Sequence, residues 1–193
     1  MTLQAFVFKN RGLLLGLPAA ALALCGRPSA RSIAFGLPLA FAGELLRCWA
    51  VGYSGATTRN DAVTAPKLVT QGPYGHVRNP LYIGNFATAA GFALAFTGKN
   101  SPAARLALVG GSLAAMAAVY AIIVPHEEEF LRAEFGEAFD RYCERVPRVI
   151  PQLESASTDS EHARWDAGAL IEAESKTFVL FGAMLAALIA KAR

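Results

Sequence analysis

Residues 67–84 carry the groups in this sequence that are best suited to hold a small charged ligand. Asn79 precedes Pro80, so we expect an extended Asn79 that can cap a helix whose first turn begins with Pro80. The free backbone N–H groups and the positive dipole end of such a helix attract a carboxylate or a phosphate. Tyr74 and Tyr82 add ring faces that could hold a planar base. A capped helix start with tyrosines at a membrane interface is the alternative interpretation.

A second group of chemically useful residues is the acidic run His126-Glu127-Glu128-Glu129. Three neighbouring carboxylates repel one another and gain nothing from the negative end of a helix. A cationic or hydroxyl-rich partner, such as an amino group or a ribose, would relieve that repulsion. The alternative is a solvated acidic run whose charge is answered by Arg132, one helical turn downstream.

The elements that must position these residues are apolar helices. Of the 193 residues, 54% are hydrophobic and only 17% are charged, which is more apolar than a soluble single domain of this length can bury. Apolar stretches cover residues 12–26, 33–51, 81–98, 106–125 and 177–190. The last is marginal as a span, since about 20 residues are needed. We therefore expect one domain over residues 1–193, an all-α polytopic membrane bundle of about five transmembrane helices.

The first apolar stretch has a second interpretation. Lys9 and Arg11 precede it, which is also the pattern of a secretory signal peptide. We prefer a membrane span because the next apolar stretch follows too closely for a separate mature domain. Gly12 and Gly16 form a small-xxx-small pattern, which is typical of membrane helices that pack closely.

Lysine and arginine residues predict the orientation in the membrane. The richer set is Lys9, Arg11, Arg59, Lys67, Arg78, Arg132, Arg141, Arg145 and Arg148; the opposite loops contain Arg27, Arg31, Lys99 and Arg105. Positive residues favour the cytoplasmic side. This places the N-terminus, the loop over residues 59–78 and the segment after the fourth stretch in the cytoplasm. The two segments that carry the candidate site residues should therefore face each other there and form the site.

Beyond Pro125 the pattern changes. Apolar side chains recur every three or four positions, at Leu131, Phe135, Phe139, Tyr142 and Val146. This spacing predicts an amphipathic helix lying at the membrane surface. Residues 152–160 read as a serine-rich linker, and a further helix from residue 160 or 161 to 176 leads into the last apolar stretch.

Glu44 and Arg47 are ionisable residues inside the second apolar stretch, which makes them functional candidates by default. The alternative is an ion pair between the two that snorkels to the interface. The three cysteines and three histidines show no metal-ligand spacing, so no metal site is expected. A net charge of +3 is too small and too scattered for nucleic-acid binding.

Short motifs follow one another in a fixed order through residues 60–151. They are Leu68-Val69-Thr70, Gly72, Tyr74, Arg78-Asn79-Pro80-Leu81-Tyr82-Ile83-Gly84, Glu127-Glu128, Leu131, Phe135-Gly136, Phe139, Tyr142, Val146-Pro147-Arg148 and Ile150-Pro151. Beside four apolar spans, this set resembles the membrane-embedded methyltransferases of the isoprenylcysteine carboxyl methyltransferase and phospholipid N-methyltransferase superfamily. Residues 152–193 would then be a C-terminal linker and helix.

The resemblance implies a pocket for S-adenosylmethionine between the third span and the helix that leaves the fourth. The residues it assigns to the cofactor are Lys67, Leu68, Val69, Tyr74, Arg78, Asn79, Pro80, Leu81, Tyr82 and Glu127. On this hypothesis Asn79 and the helix start hold the carboxylate end of the cofactor, and Glu127 takes its amino group or ribose. Tyr74 and Tyr82 flank the adenine or methionine part.

The catalytic residues and the acceptor are less defined. An amine acceptor needs a base, for which Glu128 and His76 are the candidates. The chain departs from the carboxyl methyltransferases at Pro66 and Asn79, where those enzymes commonly have histidines, and at Ile123, where they have a substrate-side arginine. The RNP form of the motif is closer to the phospholipid branch.

The expected function is methyl transfer from S-adenosylmethionine to a lipophilic acceptor that enters from the bilayer. Oxygen, nitrogen and sulfur all stay open as the methylated atom, as does the oligomeric state. The second hypothesis is an NADPH-dependent membrane reductase of the sterol or steroid type, which shares an R-x-P-x-Y segment and a proline-rich end. The third is a non-catalytic membrane binding subunit.

Overall fold

The computed structural model describes residues 2–55, 65–156 and 164–192, and its regular elements in those ranges are all helical. They are α1 (Leu3–Cys25), α2 (Ala30–Ser54), a 3₁₀ turn (Gly72–Gly75), α3 (Pro80–Phe96), α4 (Pro102–Phe135), α5 (Glu137–Arg145) and α6 (Ala167–Ala192). The predicted all-α architecture is confirmed. Arg59 and residues 157–160 of the predicted linker lie outside the described residues.

Four of the described helices, α1, α2, α4 and α6, are long and apolar enough to cross a membrane. Helix α3 is apolar but has only 17 residues, or about 25 Å, against about 30 Å of bilayer hydrocarbon. The protein is thus a multi-pass integral membrane protein, and a count of five spans stays a prediction. The last apolar stretch, residues 177–190, is short for a membrane span by itself, but it belongs to the 26-residue helix α6.

The side chains at the start of each helix explain where the helix begins. Ser29 and Ser32 form a reciprocal capping box at the start of α2, and Ser101 accepts a hydrogen bond from the backbone of Ala104 at the start of α4. Pro80 occupies the first turn of α3, as predicted. Asn79 does not cap it, however, because its side-chain amide donates to the carbonyl of Arg148 at 3.2 Å instead.

Glycines bring α2 and α3 into backbone contact. A Cβ added at Gly84 would lie 2.8 Å from the carbonyl oxygen of Gly43, and one added at Gly91 would lie 2.7 Å from Cα of Ala40. Only glycine permits this approach, since real Cβ atoms essentially never come so close. The close contact fixes the polar residues of α2 beside those of α3.

The small-xxx-small pair in α1 is not a packing motif. A Cβ added at Gly12 or Gly16 would meet no heavy atom within 4 Å. Helix α1 instead packs on α4 through Val7 and Phe8, which share a buried cluster with Met116 and its neighbours. The prediction that these glycines serve close helix packing is therefore wrong.

The predicted amphipathic helix has different bounds. Helix α4 continues through Pro125 to Phe135, and Gly136, with φ of +52°, separates it from the nine-residue α5. The apolar face of α5, Phe139 and Tyr142, is covered by the protein's own residues, including Leu68. The expectation that this face rests on the membrane surface gives way to intramolecular packing.

The direction of the chain places both long polar segments at one end of the bundle. At the other end, the backbone N–H of Lys99 donates to the carbonyl of Arg27 at 2.7 Å, and Lys191 Nζ donates to the carbonyl of Leu24 at 2.9 Å. The start of α1, residues 65–79 and α5 therefore meet at the opposite end, which confirms that the two segments face each other.

Candidate active site

The segment before α3 and the segment after α5 are joined by backbone hydrogen bonds. They run from Arg78 N to Pro147 O (2.9 Å), from Gln152 N to His76 O (3.0 Å) and from Ala156 N to Gly75 O (2.9 Å). The proline-rich stretch after α5 thus holds the loop that carries the RNP motif. Two motifs that are about 70 positions apart form one structural unit.

A tyrosine of α5 fastens the same unit. The Tyr142 hydroxyl donates to the carbonyl oxygen of Tyr74 at 2.8 Å. Burial raises the pKa of Tyr74 to about 12 and raises the pKa of Tyr142 further. Both phenols are therefore protonated at neutral pH and can donate hydrogen bonds, but neither serves as a base.

A single cavity of about 840 Å³ opens beside this unit, within the range of about 300–1,000 Å³ that is usual for small-molecule sites. Its lining includes every residue that the sequence assigned to the cofactor: Lys67, Leu68, Val69, Tyr74, Arg78, Asn79, Pro80, Leu81, Tyr82 and Glu127. Glu128 lines it as well. The structure therefore brings eleven of the twelve sequence-predicted site residues to one cavity.

His76 is the exception. It does not line the cavity, and its Nδ1 lies 3.0 Å from the carbonyl oxygen of Gln152. Its ring lies beside Trp49, with centroids 6.3 Å apart. In this position the imidazole fastens the segment after α5 to the motif loop.

The three neighbouring glutamates have three different environments. Glu127 accepts a hydrogen bond from Tyr82, and Glu129 is exposed. Glu128 is 5% exposed and binds Arg148, whose Nε donates to Oε1 at 3.2 Å. The alternative of a solvated run answered by Arg132 is wrong, because Arg132 pairs with Asp140 at 2.8 Å.

Arg78 completes the polar part of the cavity wall near the start of α3. Its Nε lies 3.5 Å from Glu128 Oε1 and makes no hydrogen bond within the described residues. A buried guanidinium N–H without an acceptor is a site for an anionic ligand group. Hydrogen bonding to Glu128 also raises the pKa of Arg148, whose own guanidinium therefore keeps its charge.

The cavity extends from this unit toward a second polar group inside the helices. Arg47 of α2 donates from Nη1 to Asn85 of α3 and from Nη2 to Oε2 of Glu174 in α6, the latter at 2.7 Å. Its Nε lies 3.5 Å from Oε2 of Glu44. The predicted Glu44–Arg47 pair is thus present, but it does not extend to the surface, because both residues are less than 10% exposed.

The remaining wall of the cavity is apolar. It includes Phe92 of α3, Met116 of α4, and Leu180, Phe181 and Met184 of α6. Leu180 is also 51% exposed on the outside of the bundle, so the apolar end of the cavity approaches the lipid-facing surface. The arrangement joins a charged pocket to a channel suited to hydrocarbon.

A comparison with known protein families identifies the family to which the chain belongs. The sequence profile of the phospholipid methyltransferase family matches residues 32–138, which is more than half of the chain. This chain belongs to the phospholipid methyltransferase family. No solved structure matches it.

Curated relatives of this phospholipid methyltransferase family member are similar over part of their length. The nickel-cobalt-cadmium resistance protein NccN of Alcaligenes xylosoxydans xylosoxydans is 36% identical over 50% of this chain and 41% of its own. The cobalt-zinc-cadmium resistance protein CzcN of Cupriavidus metallidurans is 34% identical over 61% and 47%, respectively. Protein-S-isoprenylcysteine O-methyltransferase B of Arabidopsis thaliana is 29% identical over 61% and 58%. The chain thus spans about half the length of the curated relatives it matches.

The phospholipid methyltransferase match includes the RNP loop and the glutamates, but it ends in the first turn of α5 and does not reach α6. Glu174 and Thr177, which surround Arg47, therefore lie outside the part of the chain that carries the family signature. Sequence reasoning missed Glu174. The available signal was a glutamate placed one turn before an apolar stretch, but a charge at that position is equally typical of a solvated helix end.

Proposed function

We propose that this protein transfers a methyl group from S-adenosylmethionine to a lipophilic acceptor that resides in the membrane. The observation that carries the proposal is the continuity of this cavity, because it connects the motif residues to an apolar channel between the helices. A cofactor with charged ends fits the first part, and a hydrocarbon chain fits the second. Family membership supports the same reaction class.

The residues at the motif end fit the polar groups of that cofactor. Arg78 Nε has no acceptor among the described residues, and no side chain caps the N-terminus of α3, so both suit its carboxylate. Glu127 suits its amino group or ribose, and the rings of Tyr74 and Tyr82 suit its flat base. When bound, the cofactor supplies an electrophilic methyl group on a sulfonium.

The contribution of Glu128 and His76 in this proposal is positioning rather than proton transfer. Holding the acceptor, the methyl carbon and the sulfur in line contributes up to about 7–11 kcal/mol without any catalytic base. Glu128 is bound by Arg148 and Arg78, and His76 lies outside the cavity lining. We therefore assign Glu128 to positioning the two arginines and His76 to fastening the motif loop.

We place the site on the cytoplasmic side of the membrane. Lys9, Arg11, Lys67 and Arg78 lie at the site end of the bundle, as do the arginines of α5. The opposite end has fewer positive residues, and the side with more lysine and arginine is normally cytoplasmic.

The first test is calorimetric titration of detergent-purified protein with S-adenosylmethionine and, separately, with NADPH. Saturable binding of S-adenosylmethionine alone is expected. Transfer of label from S-adenosyl-[methyl-³H]methionine to the organic extract of native membranes would then establish the reaction. Binding of NADPH alone would move the assignment to a reductase, and binding of neither by folded protein would contradict the proposal.

A further inference from the structure

Three charged side chains lie together inside the helical bundle, and we call Glu44, Arg47 and Glu174 the polar cluster. They are 7%, 8% and 1% exposed. Glu44 is ten residues from the end of α2 at Ser54, a depth of about 15 Å along the helix. Ionisable groups at membrane depth are costly, and they commonly mark the path or the site of a ligand.

The polar cluster is connected to the motif end of the cavity by a continuous series of side chains. Asn85 receives a hydrogen bond from Arg47 and donates one from Nδ2 to the Tyr120 hydroxyl at 2.8 Å. The Tyr120 ring packs on Tyr82, with centroids 4.4 Å apart, and Tyr82 donates to Glu127. All of these residues line the same cavity. The cluster and the cofactor end are therefore two ends of one polar wall.

From this placement we propose that the polar cluster is the subsite for the head of the acceptor, and that this head is a hydrogen-bond donor without negative charge, an alcohol or an amine. The proposal rests on the proposed function and deepens it. The hydrocarbon chain of the acceptor lies along Phe92, Met116 and Phe181.

The charges of the cluster decide the class of head group. Arg47 already donates to Asn85 and Glu174, and carboxylates lie on two sides of it. An anionic head beside the guanidinium would also lie beside Glu44 and Glu174, and like charges at short range in a low dielectric are strongly repulsive. The carboxylate oxygens can instead accept hydrogen bonds from O–H or N–H groups, and they can take up the proton that the head releases when it is methylated.

The test uses three probes with the same hydrocarbon chain: radiolabelled octadecylamine, octadecanol and octadecanoate. Each is titrated against the full chain in phosphatidylcholine nanodiscs, together with the variants Glu44→Gln and Glu174→Gln. Glu129→Gln, an exposed glutamate outside the cavity, is the matched control. Calorimetry with S-adenosylmethionine on the same samples reports separately on the motif end.

We expect the wild-type protein to bind the amine or the alcohol at least about tenfold more tightly than the acid. The two amide variants should lose most of this preference while their affinity for S-adenosylmethionine is retained. Equal binding of all three probes by the wild type would overturn the proposal, as would an unchanged preference in both variants. Failure of S-adenosylmethionine to bind would instead contradict the proposed function, because the probe preference is measured without the cofactor.

Discussion

Arg47 and Glu174 are 127 positions apart in the chain, yet Arg47 Nη2 donates to Glu174 Oε2 at 2.7 Å in the interior of the bundle. Their side chains are only 9% and 1% exposed. The pair joins α2, which lies inside the family match, to α6, which lies outside it. Through Asn85 the same guanidinium is also fixed to α3. The position of α6 and the shape of the cavity beside Arg47 are therefore coupled.

The first prediction concerns the stability of this pair. Arg47→Met leaves Glu44 and Glu174 in the interior without their shared cation, which should cost about 3–5 kcal/mol of unfolding free energy. Adding Glu174→Leu should restore part of that loss. Arg141→Met is the control, because its pair with Glu137 is exposed and should contribute less than about 1 kcal/mol. Unfolding in mixed micelles measures all of these values, and equal effects of the two arginine variants would contradict the coupling.

The second prediction concerns the cofactor end. Glu127→Ala should weaken binding of S-adenosylmethionine by roughly tenfold, the effect of one lost charged hydrogen bond, without unfolding the protein. Asn79→Ala should weaken it as well, because the Asn79 amide ties the start of α3 to the carbonyl of Arg148. Glu129→Ala changes the same acidic run at an exposed position and should leave the affinity unchanged. Calorimetric titration compares the three variants. Normal affinity in both Glu127→Ala and Asn79→Ala would contradict the site assignment but not the family.

The third prediction separates positioning from base catalysis at Glu128. Glu128→Gln removes the charge that holds Arg148 and Arg78, so the unfolding free energy should fall by about 1.5–3 kcal/mol. The methyl-transfer rate should fall with the same pH dependence as the wild type, since no proton passes through this carboxyl group. A pH–rate profile of kcat measures this. Loss of the acidic limb in the variant would identify Glu128 as a base.

The fourth prediction concerns orientation. In a background without Cys25, Cys48 and Cys143, single cysteines replacing the exposed residues Lys67 and Asp140 should react with a membrane-impermeant maleimide from the same side. Lys99→Cys, at the other end of the bundle, should react from the opposite side. Inverted vesicles and intact cells distinguish the two. Opposite labelling of positions 67 and 140 would break the argument for a composite site.

Much of the motif end was predictable from the sequence because its signals are local. Proline is favoured in the first turn of a helix, which predicts the start of α3 at Pro80, and the apolar stretches are long enough to require helices. The neighbouring carboxylates required partners, and Glu128 has them in Arg78 and Arg148. The prediction that is wrong also concerns a local signal. The sequence predicts that Asn79 caps α3, but the side-chain amide of Asn79 donates to the carbonyl oxygen of Arg148 instead.

The polar cluster was not predictable because it depends on contacts between helices that are distant in the sequence. Helical spacing places Glu44 and Arg47 on one face of α2, but no pattern in the sequence says that Glu174 lies opposite them. The pattern at Gly12 and Gly16 was misleading for a related reason. A small residue fits a close helix contact and an open cavity wall equally well, and only the neighbouring helices distinguish the two.

The last prediction uses that open wall. Gly16 lines the cavity between Arg11 at the cofactor end and Leu22 at the apolar end, and no heavy atom lies within 4 Å of an added Cβ. Gly16→Leu should therefore fold at least as well as the wild type, because leucine is a better helix former than glycine by about 0.5–1 kcal/mol. It should fill the passage to the acceptor end and lower methyl transfer to lipid at least about tenfold, while binding of S-adenosylmethionine is retained. Gly182→Leu in α6 is the matched control, because Gly182 also has open space around it but does not line the cavity. Equal methyl transfer by the two leucine variants, measured with extracted lipid and labelled cofactor, would show that the acceptor does not use this cavity.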